Sequence, residues 1–294
     1  MLKACFLSSA LACAATLCVT ASSSAQTAAQ DGFIARYQAR VTATQSQQPH
    51  FPTPLVTSSP GLVQAMRVDF LRQINTRRFE TWNLDASKGL ELIPARRVEL
   101  LLNLPPYFVH AEPGVKDGFG DMSFSGKYRI HSRNEESGGR AVTAVLSATI
   151  PTGKNSNGSC CAVVTPGIAM AKVYKLLDFT TTFSGSLPVS NAAKLGHTMT
   201  WNNVVQYHVA THGMARRLWP EVEFNSSFFS GGANDGKSMT FATPGIIFAT
   251  FPLRHDANGR PGRLGLQIGA GEQIALTHFH TFNHGIVITT RLPF

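Results

Sequence analysis

His278, His280 and His284 crowd the stretch Leu276-Thr-His-Phe-His-Thr-Phe-Asn-His284, and imidazoles at that density invite metal or acid–base chemistry. On an extended backbone residues two apart share a face, so His278 and His280 have the spacing for a joint metal site, but no third ligand stands near them. Membrane lipid hydrolases hold a His and a Ser two apart on one strand, with a third group orienting the His. Here the positions two beyond the histidines are His280, Phe282 and Ile286, so that chemistry lacks its nucleophile. Glu221 and Glu223 share a face as well, yet no sugar-binding aromatics accompany them, which leaves paired-carboxylate hydrolysis unsupported. Cys160 and Cys161 are neighbours, and a bridge between neighbours is strained. They read as two small residues entering a strand, with a local redox clip as the alternative. No catalytic residue, metal or cofactor is expected, and the chain reads as a non-enzyme.

The elements that would position these groups begin with an export signal. Lys3 supplies a minimal positive region, Ala4–Ala21 an apolar one, and Ser23 and Ala25 a cleavage spacing, so residues 1–25 read as a cleaved signal peptide. An uncleaved membrane anchor is the alternative; Ser8, Ser9, Thr16 and Thr20 within the stretch, and small residues after it, argue against that. Cys13 and Cys18 lack the Leu-small-small run that precedes a lipoprotein cysteine. Residues 26–60 are rich in Gln, Ala, Thr, Ser and Pro and read as a periplasmic lead, flexible or partly folded into the mouth of the next domain. A short amphipathic helix over Phe33–Val41 is the one regular element expected there.

From Gly61 the hydrophobic period becomes two. Leu177, Phe179, Thr181, Phe183, Gly185 and Leu187 fall on one face of a strand, and Asp178, Thr180, Thr182, Ser184 and Ser186 on the other. Trp219–Phe228 and Ala141–Ile150 repeat the design. No later stretch is apolar enough for a membrane helix, so membrane residence requires a closed barrel. A soluble sandwich shares the alternation, but strand length and regularity favour an all-β, antiparallel up-and-down transmembrane barrel of about twelve strands over residues 61–294. The expected strands run from Gly61–Gln73, Phe79–Asp85 and Arg96–Pro105 through Gly118–His131 and Cys160–Lys172 to Gly285–Phe294. An even count returns both ends to one side.

Charge on a lipid-facing position costs up to a few kcal/mol, so Arg67, Asp69, Arg97, Glu99, Asp121, Lys127, Arg129, Glu221 and Glu223 are expected to line the lumen. Two readings stay open for them: a network that pairs buried charge and blocks the bore, or a constriction that selects solutes by field and size. The formal net charge of +9, from 26 Lys and Arg against 17 Asp and Glu, is scattered. With no basic helix or zinc spacing, nucleic acid is not an expected partner. Ile288, Thr290, Leu292 and the terminal Phe294 alternate on one face and resemble the C-terminal signal by which such barrels are recognised for insertion; Pro293 departs from it by removing one ladder donor.

A wider resemblance lies in Gly118-Phe-Gly-Asp-Met-Ser-Phe-Ser-Gly-Lys-Tyr-Arg129 and Ile150-Pro-Thr-Gly153, with Trp219-Pro-Glu-Val-Glu223 and Thr243-Pro-Gly-Ile-Ile247 similar to later strands of related proteins. These segments resemble outer-membrane proteins grouped as the phenol-degradation MetA-pathway family. The resemblance implies an outer-membrane barrel that transports small molecules, in some cases aromatic ones, and it brings no catalytic residues. The expected partners are outer-membrane lipid, the barrel-assembly machinery during insertion and a small-molecule solute, with the barrel a monomer. A non-conducting assembly barrel is the alternative, and a lipid-modifying enzyme a more distant one.

Overall fold

A strand with one oily and one polar face can satisfy its backbone only against neighbouring strands, and a sheet surrounded by hydrocarbon must therefore close on itself. The computed structural model describes residues 32–85, 88–255 and 262–294; the expected signal peptide lies outside them. Contacts divide the chain between Ala39 and Arg40. Helix α1 (Phe33–Gln45) runs longer than the helix expected over Phe33–Val41.

The barrel is a single antiparallel sheet closed by pairing of β1 (Ala65–Asn75) with β15 (Phe282–Pro293). Three of its staves are broken in two. β2 (Glu80–Asp85) and β3 (Gly89–Ala95) both pair with β1, and their far sides are taken by β5 (Tyr107–His110) and β4 (Val98–Asn103). β6 (Gly118–Phe119) and β7 (Met122–Arg133) continue the pattern against β5 and β4. Counting each broken pair once gives the twelve staves that the alternation predicts. The breaks have local causes: Asp85 takes a left-handed φ of 81°, Pro105 and Pro106 remove ladder donors, and Gly120 packs where a Cβ would meet the Phe108 ring at 2.6 Å.

The remaining staves are unbroken: β8 (Arg140–Ile150), β9 (Val163–Tyr174), β10 (Leu177–Pro188), β11 (His197–Tyr207), β12 (Leu218–Ser230), β13 (Ser238–Pro252) and β14 (Gly265–Ala275). The sequence reading departs from the structure at strand ends. Residues 89–95 and 107–110 are strand, whereas Cys160 and Cys161, expected to enter β9, lie in the loop before it as free thiols, and the first strand starts at Ala65. The end of the barrel carrying Ala65 and Pro293 is called lower here; the loops around residues 111–117, 151–162, 189–196, 231–237 and 276–281 form the upper rim.

One set of parities points outward on every stave and leaves large apolar side chains uncovered. Leu146 and Ile150, Phe179 and Phe183, Val222, Phe224 and Phe228, and Ile286 and Ile288 are all exposed. A closed sheet with this exterior is built for a hydrocarbon surround. Phe224 sits midway along β12 and is 43% exposed. Phe224→Arg should destabilise the barrel by about 2–4 kcal/mol in lipid. Denaturant titration in liposomes checks this, and an unchanged midpoint would contradict the outward face assigned here.

Candidate functional site

The inward faces divide by height. In the upper half they carry hydroxyls and amides that are half-exposed: Ser125, Ser147, Thr182, Ser184, Thr200 and Asn202 among them. These cross-bond between staves, with Ser125 Oγ to Ser147 Oγ at 2.8 Å and Ser184 Oγ donating to Thr200 Oγ1 at 3.2 Å. In the lower half the inward positions are buried and charged: Arg67, Asp69, Glu99, Lys127, Arg129, Glu221, Glu223 and Arg291. What buries them is the chain itself. Residues 46–64 occupy the lower lumen before the chain enters β1.

A segment without helix or strand inside a protein must find partners for every backbone N–H and C=O. Here charged side chains of the wall supply them. Glu221 Oε1 accepts from the Leu55 N–H at 2.9 Å, and the two oxygens of Glu223 accept from Val56 and Thr57, each at 2.8 Å. The carbonyls are taken from the other side. Arg291 donates to Thr53 and to Pro54 O, the latter at 2.6 Å, and Arg67 donates to Leu55 O. Pro52 and Pro54 have no N–H, so the tip of the segment asks for fewer donors' partners than its length suggests.

The two limbs are tied as well. Gln48 bonds both backbone groups of Leu62, at 2.9 and 2.8 Å, Thr143 Oγ1 donates to Pro60 O at 2.6 Å, and Glu99 accepts from the Val63 N–H. Arg129 reaches Thr44 O at 2.7 Å. Hydrogen bonds to charged groups contribute about 1.5–3 kcal/mol each, so the set outweighs any single contact. Two ion pairs hold the wall side chains in position: Lys127 with Glu99 at 2.8 Å, and Arg67 with Asp69 at 2.7 Å.

Packing reinforces the same docking. Leu55 is 0% exposed and clusters with Trp219, Ile247 and Val287. Its methyls lie where three glycines leave space: a Cβ at Gly245, Gly269 or Gly271 would come within 2.3, 2.7 and 2.7 Å of them. Glycine within a strand marks close approach of another group, and here that group is Leu55.

Of the residues expected on the lumen, Arg67, Asp69, Glu99, Lys127, Arg129, Glu221 and Glu223 are buried in this lower half. The other two are not. Arg97 lies exposed in the turn between β3 and β4, because the hairpin turns at Arg96-Arg97 and not before it. Asp121 sits at the break between β6 and β7, where its carboxylate accepts from the Gly153 N–H at 2.9 Å and from Ser159 N–H and Oγ at 2.7 Å, anchoring an upper loop. His278 and His280 belong to a loop and not to a strand. His280 is tied to Thr277 O at 2.8 Å and to Asn283 Oδ1 at 2.9 Å, and no cluster of three metal-binding side chains occurs among the described residues. Arg291 and Gln206 are buried inward residues absent from the sequence reading, and Asp178, read there only as part of a polar face, is buried too. Arg291 was accessible by parity, since it alternates with Thr290 and Leu292 on the outward face.

Between the segment and the lower wall remains a cavity of about 570 Å³, bordered by Gln48, Phe51, His208, Arg216, Arg217, Trp219 and Arg291. The His208 and Trp219 rings stack there, 4.1 Å between centroids and 12° between planes.

No family model matches the chain, and no curated protein does. Among solved structures, an outer-membrane channel from Pseudomonas putida F1 is similar with a TM-score of 0.57 at 13% identity, covering 79% of this chain and 96% of that one. The NanC porin aligns with a TM-score of 0.48 at 10% identity, over 79% and 98% of the two chains. At this identity the first likeness establishes the barrel fold.

Removing one acceptor should loosen the docked segment and leave the ladder alone. In Glu223→Ala the Val56 and Thr57 N–H groups lose partners, a cost of about 1–3 kcal/mol. Their hydrogen exchange should accelerate by about one to two orders of magnitude, with β12–β13 amides unchanged. Leu55→Ala should have a comparable effect through the cavity it leaves, about 2–5 kcal/mol. Equal exchange in variants and parent would refute the docking described.

Proposed function

We propose that this chain is an outer-membrane channel through which a small solute moves passively, without a chemical step. The observation that carries the reading is the division of the lumen: an open upper half lined by hydroxyls and amides above a lower half narrowed by a segment held through side-chain contacts. By the rule that even-stranded bacterial barrels return both ends to the periplasm, the lower end faces the periplasm and the upper loops the outside. A solute entering from above meets uncharged hydrogen-bonding groups, then the docked segment, then the cavity beside Trp219.

The finer parts of the reading rest on the sequence resemblance to the MetA-pathway proteins, which supports an aromatic solute, and on the stacked His208–Trp219 pair bordering the cavity. Export by the signal peptide, insertion guided by Ile288, Thr290, Leu292 and Phe294, and action as a monomer in outer-membrane lipid belong to the same proposal.

A second reading is favoured by the burial of the lower lumen: a non-conducting barrel whose residues 46–64 complete its core. Single-channel recording in planar bilayers separates the two. The full chain should show a small conductance, and a variant lacking residues 48–59 a conductance several-fold larger. If neither the parent nor the deletion passes current while both migrate as folded barrels, the channel reading fails and the non-conducting one stands.

A further inference from the structure

The lower cavity carries an imbalance that the docked segment does not remove. Arg291 is 2% exposed, borders the cavity, and has no carboxylate within ion-pair distance among the described residues. Its two terminal nitrogens are spent on Thr53 O and Pro54 O, while its Nε–H has no hydrogen-bond partner among the described residues. The nearest acid on the adjoining stave, Asp69, is already engaged by Arg67 and by Thr289 Oγ1. A buried guanidinium satisfied only by neutral carbonyls, with one donor left over, is costly unless an anion completes it.

The rest of the cavity wall points the same way. Arg216 and Arg217 border it from the loop between β11 and β12, and no Asp or Glu is among its described lining residues. Arg217 is held by Thr250 O and lies over the Phe251 ring at 4.9 Å, so its charge is oriented without being neutralised. Beside these cations the wall carries the apolar Phe51, Leu62 and Val63 and the stacked His208–Trp219 pair, together with polar Gln48, Thr250 and Gln267. A volume of about 570 Å³ lies in the range of small-molecule sites, which pair a mostly apolar lining with a few placed polar groups.

We propose that this cavity binds an anion with a flat apolar body, of the aromatic monocarboxylate class, with Arg291 receiving the carboxylate and the Phe51–Trp219 side receiving the ring. The inference deepens the channel reading, because it names the chemistry of the solute held at the lower end. It also explains why the cations are placed there: exposed Arg216 draws the anion in through long-range attraction, and buried Arg291 holds it where water screens little.

The test uses the full barrel in detergent micelles with Trp82→Phe and Trp201→Phe, which leaves Trp219 as the reporter. Benzoate should change Trp219 fluorescence saturably, and its neutral isostere benzamide should bind at least tenfold more weakly. Arg291→Gln should weaken benzoate at least tenfold and leave benzamide within about twofold. Equal affinity for benzoate and benzamide, or benzoate binding indifferent to Arg291→Gln in a folded barrel, overturns the proposal. If Arg291→Gln does not fold, the benzoate–benzamide comparison in the parent decides by itself. Bilayer current is read separately: binding without current overturns the channel reading and keeps the site, and current without charge-dependent binding overturns the site and keeps the channel.

Discussion

The lower lumen depends on an exchange of partners between buried ions and irregular backbone. Charges inside a barrel need compensation, and a segment that pairs with no strand needs donors and acceptors; each requirement meets the other. Carboxylates of Glu221 and Glu223 take three consecutive N–H groups, and guanidinia of Arg67 and Arg291 take the three carbonyls just before and beside them. Neither set is stable there alone. This is why the wall can carry its charge below the midline, where the segment lies, while the inward side chains above it are hydroxyls and amides.

The exchange sits on an asymmetric wall. On the side of β13, β14 and β15, Gly245, Gly269, Gly271, Ile247 and Val287 shape a socket for Leu55, and Arg291 stands beside it on β15. On the side of β7 to β12 stand the carboxylates of Glu221 and Glu223, the cations Lys127 and Arg129, and Trp219, which joins the Leu55 cluster. The segment therefore seats its leucine among the glycines, while its N–H groups meet carboxylates of β12 and its carbonyls meet guanidinia of β1 and β15. Burial of Leu55 selects the register in which residues 55–57 meet their carboxylates, since a shift by one residue would put a Cγ branch against glycine Cα atoms and a carboxylate against a carbonyl.

Much of the barrel was legible because alternation is a strong signal when hydrocarbon lies outside. Parity alone separates the exposed Phe224 from the buried Glu223. It says nothing of Arg97 and Asp121, which stand at strand interruptions, where parity has no meaning. The docked segment left almost no trace in its own residues, since a Gln- and Pro-rich stretch without periodicity describes a free tail equally well. Its trace lay elsewhere, in glycines recurring at inward positions of β13 and β14 and in Arg291, an unpaired cation of inward parity. Such signals become readable only when one asks what fills the space that the glycines leave.

The two kinds of bonding in the molecule have different consequences for motion. Every stave satisfies its backbone through its neighbours, so the ladder is indifferent to whether residues 46–64 are in place. The segment has no such independence, because its partners are side chains that could equally be met by water or by a solute anion. Local stability in proteins follows this distinction, with cooperative ladders at the high end and side-chain-tethered segments at the low end. Opening of the lower lumen is therefore a local event whose cost is set by a handful of charge-assisted bonds and one buried leucine.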